Sequence, residues 1–569
     1  MNRLFPRLFA ITLVSFALLV PREGVLAQSK DEGAQPDSIN ARVDKLFALW
    51  NKPESPGCSL AVIKDGSIIY KRGYGAADLD HDIPNSPGTV FHVASLSKQF
   101  TAMSVLLLAQ QGKLSLDDQV RKYIPELGDF GKPLTIRHLL HHTSGLRDQW
   151  NLLIMSGWRL SEDVVRDDDV LDLVSRMKAL NFNPGAEHLY SNTGYTLLAQ
   201  IVKRVSGQTL REFADANIFK PLGMTHTFFR DDHAVIVKNQ AYAYNPAPGG
   251  AFKLSVPNYD TVGASSLLTT VEDLARWDQN FYDYRVGGKS LVEQMQVPGV
   301  LNGGEKITYA MGLAVLKYKG LNVVEHSGGD AGYRSHLMRF PDQRFSVACL
   351  CNAGNANPSA LARQVAGIYL AGQLVDEVNQ SAPVAEVKLS EQQLAGKLGV
   401  YWSSDSSDLA RITLTNGKLF IAAAGGSSDL APLGENRFRI NARRGEISFE
   451  SRKPGSGERL ILALEGSPPV IYEAVNSAAP TVEQLAEYAG AYYSDEIDST
   501  YRVAVEEGKL KLLRKKFPPV PLQPAFTDAF TTGSLLGTIK FTRDRQQHVI
   551  GFIASGGRIR NLRFEKQPH

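Results

Sequence analysis

Ser95 and Lys98 lie three residues apart at the start of an apolar segment that ends near Gly112. The segment is typical of a helix, and this spacing places both side chains on one helical face. The amine could then accept the proton of the hydroxyl, provided that burial or nearby positive charge lowers the pKa of Lys98. A serine at a helix N-terminus also offers its backbone N–H to an oxyanion. The pair therefore indicates a serine nucleophile with a lysine base.

Ser175 and Lys178 have the same spacing, so the Ser-x-x-Lys pattern is weak when it stands alone. This second copy lies within a charged helical segment and does not follow a β-hairpin. We interpret it as a solvent-facing helix surface.

Two rarer motifs favour the first copy. Tyr190 and Asn192 form the only Tyr-x-Asn among 20 tyrosines, and His326 and Gly328 form the only His-x-Gly among 12 histidines. A phenol can relay a proton, an amide can orient a carbonyl or the lysine, and Gly328 and Gly329 allow a substrate close to backbone N–H groups. The alternatives are a helix N-cap for Asn192 and a turn residue for His326.

The elements that must position these motifs predict an α+β fold. We expect one antiparallel sheet built from both ends of a hydrolase domain at 30–375, flanked by helices, with a large and mostly helical insert over about 95–285. The Asp65-Gly66 dipeptide predicts a hairpin. The predicted strands are 58–64, 67–74, 309–318, 322–325, 335–340 and 345–351, and helices are predicted at 38–51 and from 359 to about 373.

The C-terminal part of the sequence repeats itself at an offset of 91 residues, as from Gly399 to Gly490 and from Tyr401 to Tyr492. Both copies contain short strand-like segments separated by Gly, Asn and Asp turns. The repeat predicts two small all-β, barrel-like domains. The predicted boundaries are 376–389 for a linker and 390–476 and 481–567 for the two domains.

Residues 1–27 have the features of a secretory signal: Arg3 and Arg7, then an apolar run at 8–20 and a small-residue cleavage site near Ala27. The apolar run is shorter than the roughly 20 residues that span a bilayer. We therefore expect a secreted or periplasmic protein with no stable membrane insertion after cleavage. The net charge of +3, without a basic stripe, excludes a typical nucleic-acid binder.

Neither the clustered histidines nor the three cysteines have the spacing of a known metal site. His138 and His142 are one helical turn apart, with His141 between them, but no acidic partner is arranged as in metalloprotease motifs, so we interpret all three as structural and expect no metal. The cysteines lie in predicted strands, and their odd number leaves at least one unpaired. We interpret them as buried structural residues at positions 58, 349 and 351.

The order Ser-x-x-Lys, Tyr-x-Asn and then (Lys or His)-x-Gly on a strand resembles the penicillin-binding protein and class C β-lactamase superfamily. The resemblance extends over about residues 38–373. It is supported by four further segments, 136–146, 183–195, 221–224 and 264–277. It implies a β-lactamase/transpeptidase-like fold and acyl-enzyme chemistry without a cofactor.

The resemblance also implies a role for each motif residue. Ser95 would be the nucleophile, Lys98 its base partner and Tyr190 the proton relay. Asn192 would position the substrate, and the backbone N–H groups of Ser95 and Gly329 would form the oxyanion hole.

His326 stands where β-lactamases typically carry lysine. Imidazole titrates near neutrality and offers a weaker, pH-dependent charge to a substrate carboxylate, so we expect inefficient β-lactam hydrolysis. In two respects the chain resembles the D-aminopeptidases, which carry histidine at this position and two β-barrel domains after the catalytic domain. The expected substrate is thus the amide bond of a short peptide, including peptides with D-residues. The alternatives are an esterase of the same fold and a non-catalytic binding protein, and the oligomeric state stays open.

Overall fold

The computed structural model describes residues 38–375, 387–423, 426–441, 445–450, 458–464, 468–533 and 536–568. The predicted signal at 1–27 and most of the predicted linker at 376–389 lie outside the described residues. Among the helices that are described, none combines the length and apolar character needed to span a bilayer.

The first domain is built on a six-stranded antiparallel sheet that joins both ends of the domain. Cys58–Lys64 pairs with Phe345–Cys351 from Cys58 opposite Cys351 to Lys64 opposite Phe345. Asp65 and Gly66 turn the chain with φ values of 51° and 78°, a conformation that suits a tight hairpin. The strand order is Ala314–Tyr318, Leu321–Asp330, Tyr333–Phe340, Phe345–Cys351, Cys58–Lys64 and Ser67–Tyr74.

Helices cover both faces of this sheet. Val43 and Val365, from the first and last helices of the domain, pack against Val347 and its neighbours on one face, and the helical insert forms the larger core on the other. The helices are Ile39–Leu46, Lys98–Gln110, Ile136–Leu140, Gln149–Ser156, Asp167–Arg176, Asn192–Ser206, Leu210–Ala214, Lys220–Leu222, Val271–Asp283, Gly288–Met295 and Pro358–Tyr369. The predicted α+β class is confirmed.

Two details of the sheet differ from the sequence prediction. The predicted strand at 309–318 begins only at Ala314, which leaves Tyr309 in the preceding loop. Cys58 and Cys351, which lie opposite each other on neighbouring strands, are joined by a disulfide, so only Cys349 is a free thiol. All three cysteines are buried, and one is unpaired, as the sequence predicts. The pairing of Cys58 with Cys351 was not predicted, because sequence spacing does not show which strands are neighbours.

The C-terminal part forms the two predicted β units, and short helices at Glu391–Ala395 and Val482–Ala486 begin them. The first is a closed eight-stranded barrel: Gly399–Ser403, Asp408–Thr415, Lys418–Ala423, Gly426–Gly434, Arg437–Ile440, Gly445–Glu450, Arg459–Leu464 and Val470–Val475. The second is a nine-stranded sheet in the order Val520–Pro521, Lys509–Leu513, Ser499–Glu506, Gly490–Ser494, Ile559–Lys566, Val549–Gly556, Thr538–Arg543, Ala529–Thr531 and Gln523–Phe526.

The repeated residues have matching geometry in both units. The Tyr401 hydroxyl donates to the Lys397 carbonyl at 3.0 Å, and the Tyr492 hydroxyl donates to the Tyr488 carbonyl at 2.7 Å. Both bonds reach back four residues, across the junction between the short helix and the first strand. The 91-residue offset is therefore a repeat of local structure as well as of sequence.

The nine-stranded domain is packed directly against the first domain. Its apolar core is continuous with that of the helical insert. The Tyr501 hydroxyl donates to the Met155 carbonyl at 2.5 Å, and the buried guanidinium of Arg147 forms an ion pair with Glu496. The interface lies beside the Gln149–Ser156 helix, and this position brings the second β unit to the candidate site.

Candidate active site

Ser95 lies in a single 3-10 turn, Ala94–Ser97, that leads into the Lys98–Gln110 helix. Ala94 has φ of 50°, an uncommon conformation for a residue with a side chain. The turn is held by Ser97, whose hydroxyl donates to the Ala94 carbonyl at 2.5 Å and accepts from the Leu267 N–H at 3.0 Å. The helix is buried on nearly all sides, so the position of Ser95 is fixed by the core of the domain.

The Lys98 amine is fully buried and contacts three oxygens. Its Nζ lies 3.0 Å from Asn192 Oδ1, 2.6 Å from the Ala264 carbonyl and 3.1 Å from Ser95 Oγ. Burial holds the pKa of Lys98 well below its usual value, and the positive charge of Arg558 lowers it further. A neutral amine has two N–H groups, which the amide and the carbonyl accept, so its lone pair is left for the Ser95 hydroxyl.

Asp148 fixes the orientation of Asn192. One carboxylate oxygen of Asp148 accepts both the Asn192 N–H and its Nδ2 group, each at 2.8 Å. Because a carboxylate can only accept, the amide must turn its oxygen toward Lys98. The alternative role of Asn192 as a helix N-cap is wrong: Ser191 is the cap residue of this helix, and the Asn192 side chain points into the site.

The Tyr190 phenol lies against the same amine, with Lys98 Nζ 4.8 Å from its ring centroid. Its hydroxyl is buried and has no hydrogen-bond partner among the described residues. Burial raises the pKa of Tyr190 above its ordinary value, while the proximity of Ser95 and Arg558 opposes the rise. Tyr190 is therefore a neutral phenol, with a proton to donate, whose hydroxyl is close to the nucleophile.

His326 is close to these residues but is uncharged. Its Nδ1 lies 2.6 Å from the Ser327 carbonyl and its Nε2 lies 2.9 Å from the Tyr309 hydroxyl, so Nδ1 donates and Nε2 accepts. Burial lowers the pKa of His326 to about 3. The expectation of a charge that titrates near neutrality is wrong, because the sequence does not show this burial.

Gly328 and Gly329 bring the strand backbone to the nucleophile. A Cβ at Gly328 would lie 2.3 Å from the Val93 carbonyl, so no other residue fits there. The neighbouring Ser335 hydroxyl donates to the same carbonyl at 2.7 Å. This close approach places the strand edge opposite Ser95, the arrangement expected of an oxyanion hole.

A cavity of about 900 Å³ opens above these groups and receives residues from two domains. Ser95, Tyr190 and His326 belong to its catalytic-domain wall, together with Trp150 and Tyr259. The nine-stranded domain contributes three further residues, Lys516, Phe517 and Arg558.

The structure brings all the predicted site residues together. It leaves the second Ser-x-x-Lys copy apart: Ser175 is exposed, and Lys178 pairs with Asp495 at the domain interface. The three histidines make separate structural bonds, from His138 Nδ1 to Thr135, from His141 Nδ1 to the Tyr309 carbonyl and from the Ser191 N–H to His142 Nδ1.

Three functional residues, Asp148, Tyr309 and Arg558, belong to none of the sequence motifs. Asp148 stands two residues after the 136–146 segment that supports the family resemblance, so the sequence signal near it is local. Arg558 has no local signal, because it lies more than 360 residues from Tyr190 in a separate domain.

Comparison with known proteins defines the class to which this chain belongs. The Beta-lactamase family model matches residues 43–370, more than half of the chain. The chain is therefore a member of the beta-lactamase family and, with its Ser95–Lys98 site, a serine hydrolase.

Among individual relatives, the D-aminopeptidase of Gluconobacter oxydans is 26% identical over 467 residues, which cover 81% of this chain and 84% of the relative. A penicillin-binding protein of Bacillus subtilis is 31% identical over 417 residues, which cover 70% of this chain and 91% of the relative. The octameric penicillin-binding protein homologue of Pyrococcus abyssi shares the fold, with a TM-score of 0.53, 24% identity and coverage of 76% of this chain and 99% of that one.

Proposed function

We propose that this chain is an exported peptidase or amidase that cleaves amide bonds of short peptides, including those with D-residues, through an acyl-enzyme on Ser95. The observation that carries the proposal is the arrangement around Lys98. The oxygens of Asn192 and Ala264 accept its two N–H groups, so the lone pair of the neutral amine faces the Ser95 hydroxyl. The names of two relatives, the D-aminopeptidases of Gluconobacter oxydans and Cereibacter sphaeroides, support amides of D-residues as substrates.

The reaction follows from the protonation states of the three groups. Neutral Lys98 accepts the Ser95 proton while Oγ bonds to the carbonyl carbon, and the resulting oxyanion accepts from the N–H groups of Ser95 and Gly329. The C–N bond then breaks as Tyr190 gives its proton to the leaving nitrogen and recovers one from Lys98. In deacylation, neutral Lys98 accepts a proton from a water molecule whose oxygen bonds to the acyl carbon. The bond to Ser95 Oγ then breaks as Lys98 returns that proton to Oγ.

Because His326 is uncharged, it cannot supply the cation that a lysine at this position offers to the carboxylate of β-lactams. A non-catalytic role is disfavoured by the same geometry. Burying a lysine beside a serine costs free energy, because the ammonium group must lose either its hydration or its proton. A binding protein would gain nothing from that cost.

Four chromogenic substrates test the proposal: D-alanyl and L-alanyl p-nitroanilides, a p-nitrophenyl ester and a cephalosporin, each with wild type and with Ser95→Ala. We expect the D-anilide to be hydrolysed best and Ser95→Ala to lose at least about 10³-fold in kcat. Ester turnover without anilide turnover would identify an esterase instead, and full activity in Ser95→Ala would reject the mechanism.

Export is supported by the predicted signal and by the disulfide, which is typical of oxidising compartments. N-terminal sequencing of the protein from the extracytoplasmic fraction should begin just after Ala27. Cytoplasmic protein that keeps its first residues would contradict export.

A further inference from the structure

Arg558 stands at a hairpin turn that reaches from the nine-stranded domain into the catalytic cavity. The turn joins Val549–Gly556 to Ile559–Lys566, and Gly557 takes a φ of 59° within it. Asn181 holds the turn on both sides: its Nδ2 donates to the Arg558 carbonyl at 2.9 Å and its Oδ1 accepts from the Arg560 N–H at 2.8 Å. The arginine is therefore held in a fixed position at the site.

The guanidinium of Arg558 has unused bonding capacity. Its carbon lies 4.8 Å from the centroid of the Tyr190 ring, and one of its nitrogens lies 3.3 Å from Asp148. An arginine carries five N–H donors, and this single long bond is the one that its side chain makes within the described chain. The side chain is 40% exposed and lines the cavity, so the remaining donors can reach a ligand.

Asp148 does not neutralise this arginine in the way that a bidentate partner would. The carboxylate oxygen that faces Arg558 already accepts two short bonds from Asn192. The other acids that line the cavity are engaged elsewhere: Glu162 pairs with Arg159, and Asp330 accepts from the Tyr259 hydroxyl. The nine-stranded domain contributes Lys516 and Arg558 to the cavity wall, and these acids do not neutralise that wall, so it is cationic.

We propose that Arg558 recognises an anionic group on the leaving portion of the substrate. This inference rests on the proposed function, in which Tyr190 protonates the leaving nitrogen. A substrate group that lies over the Tyr190 ring beside Arg558 then belongs to the leaving group. His326 cannot serve this anion, because both of its ring nitrogens are bonded within the protein. The substrate class is then an amide whose leaving amine carries a carboxylate, such as a short peptide with a free C-terminus, and a separate domain provides the cation.

Two aryl phosphonates test this proposal through the modification of Ser95. In one the leaving phenolate carries a meta-carboxylate, and in the other it carries the neutral meta-carboxamide. Ser95 Oγ bonds to phosphorus as the P–O bond to the phenolate breaks, and mass spectrometry of the adduct gives the second-order rate constant. The variants are Arg558→Ala, Arg558→Lys and, as a matched control, Lys515→Ala, which removes an exposed cation that does not line the cavity.

We expect wild type and Lys515→Ala to prefer the carboxylate probe. Arg558→Ala should reduce this preference about 10- to 100-fold, the usual effect of losing a charged hydrogen bond, and Arg558→Lys should restore part of it. If Arg558 only positions Asp148, both probes will slow equally and the preference will stay unchanged, which overturns the proposal. If neither probe modifies Ser95, the serine hydrolase mechanism itself fails, which is a distinguishable outcome.

Discussion

The buried ion pair between Arg147 and Glu496 should hold the nine-stranded domain against the catalytic domain. The Arg147 side chain is 0% exposed and that of Glu496 is 7% exposed. Arg147 also donates to the Arg560 and Asn561 carbonyls, and Glu496 accepts from the Lys178 N–H at 2.9 Å. The pair thus joins both sides of the interface at a buried point.

Replacing Glu496 by Gln keeps the shape of the side chain but leaves the Arg147 charge buried without a counterion. Breaking a buried pair in this way costs about 3–5 kcal/mol, whereas an ion pair nearer the surface contributes about 0–1 kcal/mol. Glu187 provides the matched control, because it pairs with Arg560 across the same interface with side chains 35% and 17% exposed. Glu187→Gln should therefore have a much smaller effect than Glu496→Gln.

Urea unfolding followed by intrinsic fluorescence and by the loss of turnover gives the comparison. We expect Glu496→Gln to lower the midpoint strongly and Glu187→Gln to lower it slightly. The double variant Arg147→Met/Glu496→Met should be more stable than Glu496→Gln, because no charge is then left unpaired. Equal midpoints for the two single variants, or a double variant less stable than Glu496→Gln, would refute the reasoning.

Three further outcomes follow from the site. The kcat/KM should fall as the pH drops through the lowered pKa of Lys98, since the ammonium form cannot accept the serine proton, and Arg558→Gln should move this fall to higher pH by removing a nearby cation. Asp148→Asn should lower kcat/KM about 10- to 100-fold, because an amide no longer fixes the orientation of Asn192. The His188 ring lies beside Tyr309, with 5.8 Å between the ring centroids, and burial lowers the pKa of His188 to about 4. This is below the value of about 6.5 for an unfolded histidine, so stability should decline as the pH falls from 6.5 toward 4. Urea midpoints at pH 7 and 4.5 should show a smaller decline in His188→Gln.

The motif residues could be predicted from the sequence because each carries a local signal. Ser95 and Lys98 are one helical turn apart, Tyr190 directly precedes a helix, and Gly328 lies on a strand that must approach another backbone. The repeat in the C-terminal part likewise predicted two β units of similar construction.

What the sequence could not show depends on contacts between distant segments. The charge of His326 depends on its burial and on Tyr309, which lies in a loop where the sequence pattern favours a strand. The role of Asn192 depends on the carboxylate of Asp148. The position of Arg558 depends on how one domain packs against another, and no spacing within either domain carries that information.

The assignment of Ser95 as the nucleophile can be tested by its chemical modification. After treatment with a fluorophosphonate at pH 8, peptide mass spectrometry should find the adduct on Ser95 and none on Ser175, the exposed serine of the second Ser-x-x-Lys copy. Lys98→Ala should slow this modification by about 10³-fold while the fold is retained. An adduct on Ser175, or modification of Ser95 at an unchanged rate in Lys98→Ala, would contradict a serine nucleophile activated by a neutral lysine.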